Sequence, residues 1–178
     1  MHDWPGRAAV ERLRLWPVLE RVVGAVEEND AFAGAILIGS LVRGEGDSLS
    51  DVDLVVVAKP GAWVAAWAAR HELSSDSLYC WDRLEPGFPD LGAHRWFTPD
   101  LIKVECPITT PRGGFHLRGP FAVVAGEENL AEEIERLPAL TPEEIAQYVH
   151  ERAAAGKLDE AERLYGDLKN VLRGNPGS

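Results

Sequence analysis

Cysteine is scarce in this chain: two in 178 residues, Cys80 and Cys106. They lie in separate segments with no C-x-x-C pattern, which sets aside a disulfide framework or a cysteine-bound zinc. Two buried free thiols are the expectation instead. Basic residues are short too, with 18 Lys and Arg against 29 Asp and Glu and a net charge of -11. Broad-faced nucleic-acid binding rests on phosphate neutralisation by Lys and Arg, so the charge counts against a nucleic-acid partner. A small anionic nucleotide carried with its metal, or a cationic acceptor, stays compatible. No apolar run approaches membrane-spanning length, and the opening Met1-His-Asp-Trp-Pro-Gly-Arg7 holds no apolar signal core. A cytoplasmic protein with no membrane partner is therefore expected. Internal repeats and low-complexity stretches are missing as well.

What is present is an ordinary globular composition, 46% hydrophobic and 26% charged. The length suits one domain, or a catalytic domain with a small helical appendage. Apolar residues at helical spacing (Val10, Leu13, Val18, Leu19, Val22, Val23, Val26) predict a helix over 5–29 that Pro17 kinks or divides. Residues 35–38 and 52–58 are apolar and bounded by turn residues, so both read as buried strands. Between them, 40–46 is a glycine-bracketed turn that can open with a short helix. A helix over 62–73 carries Trp63 and Trp67 four apart, a spacing that favours core packing. Strands are predicted over 78–84, 94–97, 101–108 and 121–125, with a Pro- and Gly-rich loop over 85–93. Helices follow over 127–137, from Thr141 in a T-P-E-E capping pattern, and from beyond Gly156 to about 172. The division expected is 1–126 catalytic, 127–173 a helical extension and 174–178 a disordered tail.

The chemistry concentrates between Gly39 and Asp53, which read G-S-L-V-R-G-E-G-D-S-L-S-D-V-D. Asp51 and Asp53 stand two apart at the start of a strand, so both side chains share one face while Val52, Leu54 and Val56 take the other. Adjacent carboxylates repel, and a hard cation such as Mg²⁺ held with phosphate oxygens resolves that repulsion. Gly39 lets the backbone approach a ligand, and Ser40 with the following N–H groups can donate to phosphate. Arg43 in the same turn either contacts phosphate or braces the loop. A two-metal displacement at phosphorus calls for a third carboxylate. Glu105 is the candidate, in the strand Leu101-Ile-Lys-Val-Glu-Cys106, where Lys103 shares its face and can neutralise phosphate charge. Asp76, Asp90 and Asp100 sit in turns and are weaker candidates. His94, His116 and His150 lack partner spacing, which favours surface or packing roles. The Arg112-Gly-Gly114 turn reads as a glycine-rich connection.

The arrangement Gly39-Ser40, ten residues, Asp51-x-Asp53, with Arg43-Gly44 inside and Ser50 before the first aspartate, resembles the signature of the DNA polymerase β-like nucleotidyltransferase superfamily. The nearest likeness is to its small bacterial minimal and aminoglycoside-type members. The resemblance implies an α+β (α/β-like) fold, a small mixed sheet backed by helices, here with a C-terminal helical tail. It implies two Mg²⁺ ions on Asp51, Asp53 and Glu105, with Gly39, Ser40, Arg43 and Lys103 toward the nucleotide. The expected reaction moves a nucleoside monophosphate from an NTP, ATP foremost, to a hydroxyl of a small molecule or a protein. The acceptor half is expected around the 85–93 loop and the C-terminal helices. The alternative is a weak or inactive module of the same fold, acting as an antitoxin-like or regulatory partner. A homodimer or a helical toxin are the protein partners this brings into view.

Overall fold

A computed structural model describes residues 1–136 and 141–156, with Ala161, Tyr165 and Leu168. The chain divides into two compact units, Met1–Leu137 and Pro138–Ser178. The first unit runs α1 (Arg7–Val10), α2 (Trp16–Glu28), β1 (Phe32–Leu37), α3 (Ser40–Arg43), β2 (Val52–Ala58) and α4 (Trp63–Leu73). It continues through β3 (Tyr79–Leu84), β4 (Leu91–Phe97), β5 (Lys103–Thr109), β6 (Ala122–Gly126) and a 3₁₀ turn, Glu128–Glu133. The strands form one sheet in the order β3-β4-β5-β2-β1-β6. Only β2 and β5 pair in parallel, and the other neighbours are antiparallel. The mixed sheet expected from the sequence is therefore present.

Strand alternation sorts the core onto two faces. Val52, Leu54, Val56 and Ala58 join Val104, Cys106 and Ile108 beneath the apolar stripe of α2, Val18, Leu19, Val22, Val23 and Val26. Burial of each Val, Leu or Ile among them contributes about 1.5–3 kcal/mol. Trp63 and Trp67 of α4 pack against the same cluster, as their spacing predicts. On the opposite face Ile36, Val55 and Val57 are covered by Leu117, Leu130, Ala131 and Ile134. That cover lies over one end of β1 and β2. Further along this face, toward β3, stand Asp53, Glu105, Arg95 and Trp81 in register.

The region over 5–29 is divided into two helices, one of the two outcomes expected, with Pro17 in the first turn of α2, where its missing N–H breaks no helical bond. Two expectations need correction. β4 begins at Leu91, not His94, so the 85–93 loop is shorter. Gly92 belongs to the strand because a Cβ there would lie 2.5 Å from Trp67 Cζ3. The helix over 127–137 is only the 3₁₀ turn, after which Ile134 is extended and Arg136 bridges Leu117. Glu128 and Glu132 would repel at i,i+4 spacing in an α-helix, and docking of Leu130, Ala131 and Ile134 on the sheet sets the chain path instead.

In the second unit α5 (Pro142–Ala154) opens with the capping box read from T-P-E-E. Glu144 N–H donates to Thr141 Oγ1 at 3.2 Å, and Thr141 N–H donates to Glu144 Oε2 at 2.8 Å. The helix expected to reach 172 lies outside the described residues, apart from Ala161, Tyr165 and Leu168.

Candidate active site

The turn before β2 aims Asp51 and Asp53. Asp47 Oδ1 accepts from Leu49 N–H at 2.8 Å, and Ser50 Oγ accepts from Asp47 N–H at 2.9 Å. The Leu49 N–H foremost, and then the Ser50 hydroxyl donating to Asp47 Oδ1 at 3.1 Å, hold the Asp47 carboxyl below the usual carboxylate range. Arg14 reaches from the α1–α2 connection and donates to Ser48 O at 2.6 Å and to Asp100 O at 2.9 Å. One guanidinium thus ties the loop before Asp51 to the β4–β5 turn. At the end of β1, Ile38 N–H donates to Asp53 O at 3.0 Å. The next residue, Gly39, has φ 79° and ψ -155°, and a Cβ on it would stand 2.5 Å from Asp53 Oδ2. Only glycine lets the Gly-Ser turn lie this close to the aspartate.

Across the sheet, Asp53 is level with Glu105 on β5, which is level with Arg95 on β4 and then Trp81 on β3. Residues level with one another on paired strands share a face. Glu105 therefore stands beside Asp53 on the same face of the sheet. Lys103 Nζ lies 3.0 Å from Asp51 Oδ2 and 2.6 Å from Glu105 Oε1, and Arg95 Nε lies 3.6 Å from Glu105 Oε1. Burial works against the Lys103 ammonium, but Glu105 and Asp51 outweigh it and hold its pKa above the ordinary value. Arg43 Nε donates to Glu45 Oε2 at 2.8 Å, a bracing contact within the turn.

The three carboxylates are hard oxygen donors of the kind Mg²⁺ takes, and Lys103 already answers their demand for positive charge. Among the described residues no three His, Cys, Asp or Glu side chains converge as a complete metal site. Mg²⁺ needs no such cage, because it is commonly held by one or two carboxylates plus substrate phosphates and water. The donor set therefore fits a metal that arrives with its nucleotide. α3 is a single turn, and the Ser40 hydroxyl with the N–H groups that open it are the groups here that could donate to a phosphate.

A family model described as a nucleotidyltransferase domain matches residues 19–144, a span that holds Gly39-Ser40, both aspartates and Glu105. The chain belongs to this nucleotidyltransferase family. As a member it is a transferase of nucleotidyl groups. No curated protein matches it.

Other residues of this nucleotidyltransferase sort themselves by position. The 85–90 connection and Arg112 lie at the opposite end of β2 and β5 from the aspartates. There a cleft of about 670 Å³ opens between Pro60, Asp90, Thr110 and Arg112. His94 is fully buried under α4, with Nδ1 2.6 Å from Asp82 Oδ1 and Nε2 2.8 Å from Ser74 Oγ. The Asp82 carboxylate accepts from Nδ1, while the Ser74 hydroxyl can serve Nε2 as donor or acceptor, and desolvation holds the ring's pKa below its ordinary value. Ser74 is only 4% exposed, so this Ser-His-Asp chain has no substrate access and knits α4 to β3 and β4. Cys106 is buried in the same core, its thiol pushed up to about 12 by desolvation, while Cys80 is half-buried. Sequence reasoning passed over Arg95 and Trp81; the alternation Tyr79-x-Trp81 on one strand face was the signal available.

Proposed function

We propose that the protein transfers a nucleoside monophosphate from a Mg²⁺-bound NTP, ATP foremost, to a hydroxyl of a small molecule or a protein. The observation that carries this reading is Asp53 level with Glu105 across the parallel pair, with Gly39 packed on Asp53. Asp51, Asp53 and Glu105 are the residues that would hold the metal. When bound, Mg²⁺ would neutralise phosphate charge and polarise the α-phosphoryl group. Gly39 and Ser40 position the triphosphate, and Lys103 shifts from its carboxylate partners toward phosphate oxygens. Glu105 takes the proton of the attacking hydroxyl. The oxygen–phosphorus bond to the acceptor forms as the bond from the α-phosphorus to pyrophosphate breaks. Most of the acceleration comes from positioning and charge placed in advance.

The reading is tested by incubation with each α-³²P-labelled NTP, Mg²⁺ and a low-molecular-weight cell extract, with pyrophosphate release as readout. Release is expected from the wild type and lost in Asp51→Asn and Asp53→Asn, both with unchanged circular dichroism. Unchanged turnover in either variant would refute the assignment. The Lys103 ammonium between Asp51 and Glu105 favours one second reading, a metal-poor module acting as an antitoxin-like or regulatory partner. That reading predicts no calorimetric heat with Mg²⁺ and any of the four NTPs, and a stable complex with another protein.

A further inference from the structure

The carboxylate face continues past Glu105 into an aromatic platform. Tyr79 and Trp81 alternate along β3, so their rings stand on the side that carries Arg95, Lys103 and Glu105. Tyr79 and Trp81 stack with centroids 5.7 Å apart and planes 24° apart, and Trp81 meets Phe97 at 5.7 Å and 31°. Tyr79 is 63% exposed, and Trp81 and Phe97 are half-buried, so the three touching rings open to solvent at the Tyr79 end. An aromatic cluster open to solvent beside a charged site is a candidate binding surface.

Its position says which part of the reaction it serves. In an in-line displacement the attacking oxygen and the leaving group lie on opposite sides of phosphorus. Gly39 and Ser40 flank Asp53 on the β1 side, and the rings lie on the β3 side of Glu105. With pyrophosphate departing over the Gly-Ser turn, the hydroxyl enters from the rings. We infer that Tyr79, Trp81 and Phe97 form the acceptor subsite, taking a small ring-bearing molecule that stacks on them and turns a hydroxyl to Glu105. The inference rests on the nucleotidyl-transfer reading above.

Trp81 and Glu105 are two strands apart, about 10 Å at the usual strand spacing. Two linked rings span that distance, one over the platform and one at the carboxylates. Arg95 stands between them and offers guanidinium donors to ring oxygens. The chain's net charge of -11 disfavours approach of a polyanion, which favours an uncharged or cationic acceptor over a nucleic-acid strand.

The test uses phenyl β-D-glucoside, two linked rings with free hydroxyls, as probe. Saturation-transfer NMR is run with Mg²⁺ and α,β-methylene ATP on wild type, Tyr79→Ala, Trp81→Ala and Trp81→Phe. Calorimetry gives the affinity of each protein for α,β-methylene ATP alone. The probe is expected to bind the wild type, to lose about tenfold in affinity in both alanine variants, and to be largely retained in Trp81→Phe. Nucleotide affinity is expected to stay within twofold throughout. Tyr79 is exposed, so its replacement leaves the fold intact. A probe that misses the wild type or binds all four proteins equally overturns the assignment. So does a parallel loss of nucleotide affinity, which gives the rings to the base. Ring-dependent binding of a twelve-residue oligothymidylate overturns the small-molecule class. Failure of the wild type to bind α,β-methylene ATP refutes the transfer reading itself, a result separable from any effect of the rings.

Discussion

Replacing Gly39 by alanine tests the contact that joins the Gly-Ser turn to the aspartates. The backbone there, φ 79° and ψ -155°, falls in a region that is essentially glycine-only and costs about 1–3 kcal/mol for other residues. The added methyl meets Asp53 Oδ2 at 2.5 Å, and ordinary contact begins at 3.4 Å, so the carboxylate must retreat by 3.4 - 2.5 = 0.9 Å. A loss of about 2 kcal/mol lowers Tm by about 4–8 °C in a domain of this size. A displacement of about 1 Å at a positioned group costs about 10²-fold in turnover. Gly24→Ala serves as control, because Gly24 lies within α2 and a Cβ there meets nothing within 4 Å. That variant is expected to gain about 0.5–1 kcal/mol. Differential scanning fluorimetry and pyrophosphate release on both proteins are the assays. A Gly39→Ala protein with unchanged Tm and turnover would show that the turn does not press on Asp53, and the reasoning would fail.

Three further outcomes follow from the same geometry. Lys103→Met removes the cation between Asp51 and Glu105, whose ion pairs are partly exposed and contribute about 0.5–1 kcal/mol. Its metal-free melting temperature should drop by a few degrees and its Mg²⁺-induced thermal shift should exceed that of the wild type; equal shifts would contradict this. Glu105→Gln keeps the size but not the charge, and should cut turnover by about 10²–10⁴-fold in single-turnover assays while nucleotide binding persists. Desolvation holds His94 below its ordinary pKa of 6.5 even though Asp82 pulls the other way. The unfolded chain therefore binds the proton first as pH falls, so stability is full above pH 6.5 and declines below it. Melting curves from pH 8 to 5 should show that decline, and a flatter one in His94→Gln; parallel profiles would refute it.

The arrangement of the candidate nucleotide half was legible because it is local. Gly39-Ser40 and Asp51-x-Asp53 sit within fifteen residues, and alternation alone puts both aspartates on one face. Glu105 was legible only conditionally, since alternation gives its face but not its neighbour; the parallel β2–β5 pairing supplies that. Arg95 and Phe97 were not legible because they reach the site through the antiparallel β4–β5 register, and Tyr79 and Trp81 because they need the β3–β4 register as well; no short-range pattern specifies either. Gly92 misled the boundary of β4 for a related reason. It looks like loop punctuation, and only the pressure of Trp67 from α4 explains a glycine inside that strand. The acidic stretch after Gly126 went wrong where docking on the sheet overrode helical propensity.

The central claim is that Asp51 and Asp53 bind metal together with a nucleotide. It is tested most directly by calorimetric titration of ATP into wild type, Asp51→Asn and Asp53→Asn, each with Mg²⁺ and with EDTA. The account predicts that Mg²⁺ raises ATP affinity at least about tenfold in the wild type, with that gain abolished in both variants. An undiminished gain in either variant, or none in the wild type, would contradict it.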